Sequence, residues 1–120
     1  MPSLKSLALA MLLVLAPAAG RAEDFSAWPL LTDPFASTGG GGIMIGGYNP
    51  VVDGRLCRTA FTATTPDGTV YRNTAEFDAQ EVQGGILCTN GRWRAADGSA
   101  SGTTPFRVFI RDGVKRMAPP

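Results

Sequence analysis

Short segments in which apolar and polar residues alternate dominate the chain, and this pattern predicts β-strands rather than helices. The pattern is clearest in residues 56–64 and 69–77, which are rich in threonine, aromatic and β-branched residues. Between them, the Pro-Asp-Gly sequence at 66–68 suits a three-residue hairpin loop with glycine in the left-handed position. We therefore predict a hairpin in which Thr65 pairs with Thr69.

This register decides which side chains share a face, because alternate residues of a strand point to opposite sides of the sheet. The outer face carries threonines and places Arg58 directly across from Glu76, a pairing of opposite charges. The inner face collects apolar side chains, namely Cys57, Phe61, Tyr71 and Phe77.

A second hairpin is predicted around the Asn-Gly pair at 90–91, since this dipeptide is the strongest two-residue turn signal. Its strands, 86–89 and 92–95, place Cys88 opposite Trp93 on the inner face. A third strand over 105–111 buries Phe106, Val108 and Ile110, and Asp112-Gly113 reverses it into a short final strand.

Cys57 and Cys88 are the two cysteines of the sequence, and both fall on predicted inner faces. No Cys-X-X-Cys spacing suggests a redox site. A bond between them closes a loop of 32 residues. The chain-entropy model assigns such a loop about 3.7 kcal/mol of stabilisation. We predict a single structural disulfide.

Residues 1–22 have the pattern of an export signal. Lys5 precedes an apolar run at 7–16, and small residues follow up to Ala22, so we place the cleavage before Glu23. The run of ten residues is half the length of about 20 that crosses a bilayer. We expect a periplasmic or secreted protein with no membrane insertion after cleavage.

The rest of the chain shows no apolar period of 3.6 residues over 11 or more positions. The expected fold is therefore all-β, a small antiparallel barrel or sandwich with one disulfide, preceded by a cleaved signal peptide. Its predicted parts are the signal peptide at 1–22, an extended aromatic and glycine-rich arm at 23–48, and a β-domain core at 49–120.

Composition excludes several kinds of chemistry. The sequence contains no histidine, which removes His-based triads, the HExxH zinc site and the commonest general base. Without Lys5 and Arg21, nine basic residues face ten acidic ones, so the mature net charge is −1. Nucleic-acid binding needs a clear basic excess. We expect no nucleic-acid partner, no metal and no cofactor.

Two local patterns suggest catalysis or phosphate binding only weakly. The glycine-rich residues 39–47 lack the spacing of a phosphate-binding loop, so we predict a short strand around 43–45. Glu76, Asp78 and Glu81 form a carboxylate cluster, and a small carboxylate-dependent hydrolase is one alternative function.

The favoured expectation is a non-catalytic exported domain that binds a macromolecule of the cell envelope or the extracellular medium. A second alternative is an inhibitor of a secreted hydrolase that presents a loop at 97–102 or 39–47. Alternation of the strands turns a mixed cationic and apolar set outward. This set can bind an anionic protein partner, or serve as a solvated face that blocks edge-to-edge aggregation. Its members are Leu87, Arg92, Arg94, Arg107, Phe109 and Arg111.

Overall fold

A computed structural model describes residues 23–37 and 41–118, and the predicted signal peptide lies outside these residues. Within them the fold is all-β, as predicted, with one curled antiparallel sheet that forms a half-barrel. A 3₁₀ turn at Phe25–Ala27 precedes the strands. The strands are β1 (Phe35–Ala36), β2 (Met44–Gly46), β3 (Val51–Asp53), β4 (Leu56–Thr64), β5 (Val70–Val82), β6 (Gly85–Ala95), β7 (Ser101–Thr104), β8 (Arg107–Arg111) and β9 (Val114–Ala118).

Three long strands, β4, β5 and β6, form the centre of the sheet. The second edge of β4 pairs with β3 near its start and with β2 near its end. In the same way, the second edge of β6 pairs first with β8 and then with β7. Each long strand therefore spans two shorter partners, which lets the sheet curl around a core.

The first predicted hairpin is confirmed in its register. Cys57 lies opposite Phe77, and the backbone N–H of Thr65 donates to the carbonyl of Thr69 at 3.0 Å. On the outer face the Arg58 guanidinium lies 3.4 Å from the Glu76 carboxylate, as the register requires.

The second predicted hairpin is wrong, because β6 runs unbroken through the Asn-Gly pair. Glu76 pairs with Arg92 and Asp78 with Thr89, so two residues of β6 stand opposite the single residue 77 of β5. This is a β-bulge, and Asn90 takes its left-handed position at φ 54°. The turn between β5 and β6 lies instead at residues 83–84.

The bulge preserves the predicted faces nevertheless. The extra residue shifts the alternation of inward and outward side chains along β6 by one position. Cys88 and Trp93 therefore both point to the inner face, as they would in the predicted hairpin. Gly91 is required there because a Cβ would lie 2.1 Å from Thr104 Cγ2 and 2.6 Å from Phe77 Cε2. No larger residue fits this approach without displacing its neighbours.

The core surrounds the predicted Cys57–Cys88 disulfide, which is present and fully buried. Phe77 and Val108 pack beside it with no exposed surface. The third predicted strand is also confirmed as β8, and Asp112-Gly113 reverses it into β9 as expected.

Residues 23–48, predicted to be an arm, supply β1, β2 and part of the core. The Leu31 N–H donates to the Lys115 carbonyl, and the Met117 N–H donates to the Pro29 carbonyl, each at 2.9 Å. A few residues later Phe35 pairs with Ile45 of β2. One stretch of chain thus hydrogen-bonds to both β9 and β2.

Candidate functional site

A cavity of about 410 Å³ opens at one end of the half-barrel, where β4, β5 and β6 reach the ends farthest from the disulfide. We call it the mouth cavity. Uncharged residues line it, and most of its wall is apolar. They are Ser37, Ile43, Ile45, Tyr48, Phe61, Ala63, Thr65, Tyr71, Asn73, Trp93, Ala95, Ser99, Ala100, Thr103, Thr104, Pro105 and Phe106.

Tyr48 stands at the centre of an aromatic cluster at this end of the sheet. Its ring centroid lies 5.4 Å from that of Phe35, 5.5 Å from that of Phe61 and 6.1 Å from that of Phe106. The rings meet edge to face, the arrangement that aromatic quadrupoles favour. The cluster holds the Tyr48 side chain in one position.

Tyr48 is only 3% exposed, and its buried hydroxyl has no hydrogen-bond partner among the described residues. Burial raises the pKa of Tyr48 well above its usual range, and the Thr104 side chain opposes this in part. Thr104 makes no hydrogen bond of normal geometry with this hydroxyl. Tyr48 therefore stays protonated, and its hydroxyl lies out of reach of solvent.

The chain around Tyr48 is fixed by local contacts. Gly47 takes φ 73° directly before it, a conformation that suits glycine. The Asn49 N–H donates to the Thr59 hydroxyl at 2.9 Å, and Pro50 is fully buried. The Lys115 ammonium donates to the Asn49 side-chain carbonyl at 2.6 Å. These contacts set the direction from which the tyrosine ring enters the cluster.

Two other polar side chains on the cavity wall, Asn73 and Thr104, have hydrogen-bond partners. The side-chain amide of Asn73 donates to the Tyr71 carbonyl at 3.3 Å. The Thr104 hydroxyl accepts from the Phe106 N–H at 3.3 Å. Sequence reasoning identified neither Tyr48 nor Asn73 as a site residue, although it placed Phe61, Tyr71 and Trp93 on the inner face.

The set of outward residues predicted to bind a partner is not an open apolar patch. Leu87 and Phe109 are 9% and 4% exposed, so the expectation that they face solvent is wrong. They do lie on the outer face, outside the main core, but the N-terminal segment (residues 23–31) covers Phe109. The ring of Phe25 stacks on that of Phe109 at 4.4 Å between centroids.

Two arginines of this set are paired. Arg92 lies 3.0 Å from Asp78 and 3.9 Å from Glu76. Arg107 lies 3.0 Å from Glu23 and stands over the Trp28 ring at 4.9 Å.

The other two arginines of the set, Arg94 and Arg111, are exposed. Arg111 approaches Asp112 at the 4.0 Å limit of an ion pair. Partner binding by these arginines stays a prediction.

The predicted carboxylates do not line one cleft together, since Glu76 lines a surface pocket that Asp78 and Glu81 do not line. Glu76 and Asp78 lie on the outer face beside arginines, and Glu81 is exposed nearer the end of β5. Hydrogen bonds from Asn90 and then Arg92 lower the pKa of Asp78. Within the described residues, no group of three or more His, Cys, Asp or Glu side chains is arranged to hold a metal ion.

Comparison of the chain with protein-family models, curated proteins and solved structures finds no match. Among the described residues there is also no helix long and apolar enough to span a membrane. The mouth cavity is the feature on which a functional proposal can be based, because its concave wall is mainly apolar and carries no charged residue.

Proposed function

We propose that this protein is an exported, non-catalytic β-domain that binds a component of the cell envelope or the extracellular medium in its mouth cavity. The observation that carries the proposal is the mainly apolar, aromatic-lined cavity of about 410 Å³ at the open end of the half-barrel. This volume falls within the range of small-molecule sites in proteins.

Two observations support export. Residues 1–22 have the charge, apolar run and small residues of a cleaved signal peptide. The buried Cys57–Cys88 disulfide is consistent with an oxidising compartment, where such bonds persist. A periplasmic or secreted location follows from this proposal.

The chemistry of the cavity favours binding over catalysis. Its wall has hydroxyl and amide groups but no carboxylate, amine or thiol to act as acid, base or nucleophile. A lone serine or threonine hydroxyl is a weak nucleophile without an adjacent base. Glu76 and Asp78, two of the three carboxylates of the alternative hydrolase, lie on the opposite face of the sheet, paired with arginines.

A fluorescent apolar dye tests the cavity directly. We expect the exported, oxidised protein to bind an uncharged phenylnaphthylamine dye with saturable fluorescence enhancement. Ala63→Phe places a phenyl ring in the cavity, and we expect it to weaken dye binding at least about tenfold by excluded volume. Ala60→Phe is the matched control, because Ala60 lies on the same strand but on the outer face.

The comparison of these two variants decides the result. Binding that Ala63→Phe abolishes and Ala60→Phe retains supports the mouth cavity as the site. Binding that both variants retain, or no binding to the parent protein, contradicts it. Thermal unfolding of both variants shows that each is folded at the temperature of the measurement.

A further inference from the structure

The charges around the mouth cavity indicate which ligands it favours. We propose that the ligand is an amphiphilic organic cation, whose apolar body lies in the cavity and whose ammonium group remains at the mouth beside Asp67 and Asp97. This inference rests on the proposed function, since it assumes that the cavity is a binding site.

The apolar body follows from the wall of the cavity. Phe61, Trp93 and Phe106 line it together with Ile43 and Ile45, and none of the lining residues carries a charge. A ligand that covers this wall removes apolar area from water, which is the main favourable contribution in sites of this kind. A charged group deep inside would lose its hydration without meeting an opposite charge. Any charge on the ligand must therefore stay at the mouth.

Two turns border the mouth, and each carries one aspartate. Asp67 lies in the turn between β4 and β5, and Asp97 lies in the turn between β6 and β7. The hydroxyl of Thr65, which lines the cavity, donates to the Asp67 carboxylate. The backbone N–H of Ser99, which also lines the cavity, donates to the Asp97 carboxylate at 2.9 Å. Each carboxylate is thus one hydrogen bond away from the cavity wall.

Both carboxylates are exposed, and both are ionised at neutral pH. The hydrogen bond from the Thr65 side chain lowers the pKa of Asp67. The hydrogen bond from the Ser99 side chain lowers the pKa of Asp97. Two negative charges therefore stand beside the opening.

No ion pair offsets these two charges. Among the described residues, neither Asp67 nor Asp97 forms a salt bridge. Arg72, the basic residue of β5, lies on the outer face, because its neighbours Tyr71 and Asn73 line the cavity. The electrostatic potential at the mouth therefore favours a cation over an anion.

The aromatic character of the opening suits an organic ammonium group. Tyr71 lines the cavity and is 53% exposed, so its ring lies where the cavity meets solvent. Aromatic rings attract ammonium groups, and proteins use this attraction to recognise quaternary ammonium ligands. A trimethylammonium group is therefore a suitable probe of the mouth.

Three naphthalene ligands of similar size separate charge from apolar burial. They carry a trimethylammoniomethyl, a hydroxymethyl or a carboxymethyl group, and are thus cationic, neutral and anionic. Each is titrated into the exported, oxidised protein at low ionic strength by displacement of the phenylnaphthylamine dye. Coulomb's law assigns each exposed carboxylate near the mouth about a threefold effect on affinity. We expect the cation to bind about tenfold more tightly than the alcohol, and the anion about tenfold more weakly.

Asp67→Asn and Asp97→Asn remove one charge each and keep the oxygen that accepts from the backbone of the turn. Each variant should lower the ratio of cation to anion affinity about tenfold, and the double variant should lower it about a hundredfold. Asp112→Asn is the matched control. Asp112 is also an exposed turn aspartate, but it follows Arg111, which lies beside Gly84 at the opposite end of the sheet. This control should keep the parent ratio.

The outcomes separate the two proposals. If neither the dye nor any of these ligands binds the parent protein, or if Ala63→Phe binds them as tightly, the mouth cavity is not the site and the proposed function fails. If the dye binds in the cavity but the cation binds no more tightly than the anion, the cationic ligand is refuted and the proposed function stands. A cation preference that survives the double variant, or that Asp112→Asn reduces equally, also refutes the inference.

Discussion

The burial of Phe109 under the N-terminal segment predicts a large loss of stability in Phe109→Ala. The Phe109 ring stacks on that of Phe25 with an angle of 11° between the planes. The Phe109 ring also lies close to Gly85. A Cβ at Gly85 would lie 2.7 Å from Phe109 Cζ, which shows how closely the ring covers that glycine. Leu87 pairs with Phe109 across β6 and β8.

The magnitude can be worked out from the buried area. A buried phenylalanine removes at least about 150 Å² from water, equivalent to about 3.8 kcal/mol at 25 cal/mol per Å². Residual burial in the unfolded chain reduces this value to about 2.3–3.4 kcal/mol. Truncations of buried phenylalanine elsewhere cost about 3–5 kcal/mol. We expect about 3 kcal/mol, which lowers the melting temperature of a domain of this size by about 15 °C.

Thermal and urea unfolding of the oxidised protein measure this effect. Phe25→Ala should cost about half as much as Phe109→Ala, because the remaining ring keeps its contacts with the sheet. The double variant should show a coupling of at least about 0.5 kcal/mol, as contacting aromatic rings do. Tyr71→Ala is the exposed control and should change stability by less than about 1 kcal/mol.

Two results would refute the reasoning. A melting temperature for Phe109→Ala within about 4 °C of the parent would mean that the ring is not buried. Strict additivity of Phe25→Ala and Phe109→Ala would mean that the N-terminal segment does not cover this face. The segment would then be free, and Leu87 and Phe109 would form the exposed patch that the sequence predicts.

Three further predictions follow from the bulge and the disulfide. Unreduced protein should take up no alkylating reagent at Cys57 or Cys88 by intact mass, and reduction should cost about 3.7 kcal/mol of stability; two alkylations without reductant would contradict the bond. Gly91→Ala should lose about 3 kcal/mol in urea unfolding through overpacking, above the loss of about 1–2 kcal/mol in Gly98→Ala, where the added Cβ meets open space and the cost comes from the left-handed φ of 78°. The pKa of Asp78 is lower in the folded protein than in the unfolded chain, where it is about 4. The ionised carboxylate therefore stabilises the fold at pH values above about 4, and this stabilisation is lost as the pH falls through the folded pKa. Asp78→Asn should therefore melt below the parent at neutral pH, and this gap should close with acidification; a gap independent of pH would exclude the carboxylate as its cause.

The strands and the first hairpin could be predicted because the information for them is local. Alternation over 56–64 and 69–77 defines two faces, and the Pro-Asp-Gly loop fixes the register. The disulfide then follows, since both cysteines lie on the inner face.

The Asn-Gly pair could not be interpreted locally, because a bulge and a tight turn require the same backbone conformation. Asn90 adopts a positive φ in either case. Pairing decides between them: β6 continues past the bulge because Arg92 and Arg94 pair with β5 on one side and β7 on the other. The turn at 83–84 uses Gly84 at φ 74° instead.

The mouth cavity and the cover over Phe109 could not be predicted, because both depend on contacts between distant parts of the chain. Tyr48 belongs to a segment whose glycines and prolines show no period, yet its ring packs against Phe61 and Phe106. Alternation correctly placed Leu87 and Phe109 on the outer face. It could not show that Phe25, more than 80 positions away, covers that face.

The two ends of the sheet differ in packing, and this difference supports the assignment of function to the mouth. Cys57 and Ala63 lie on the same strand face, six residues or about 20 Å apart. At the Cys57 end the disulfide and Phe77 are fully buried, whereas Ala63 lines the mouth cavity. A buried hydroxyl without a hydrogen-bond partner among the described residues destabilises a small domain, and Tyr48 has one at this end. The disulfide and the cover over Phe109 stabilise the fold elsewhere and offset that cost.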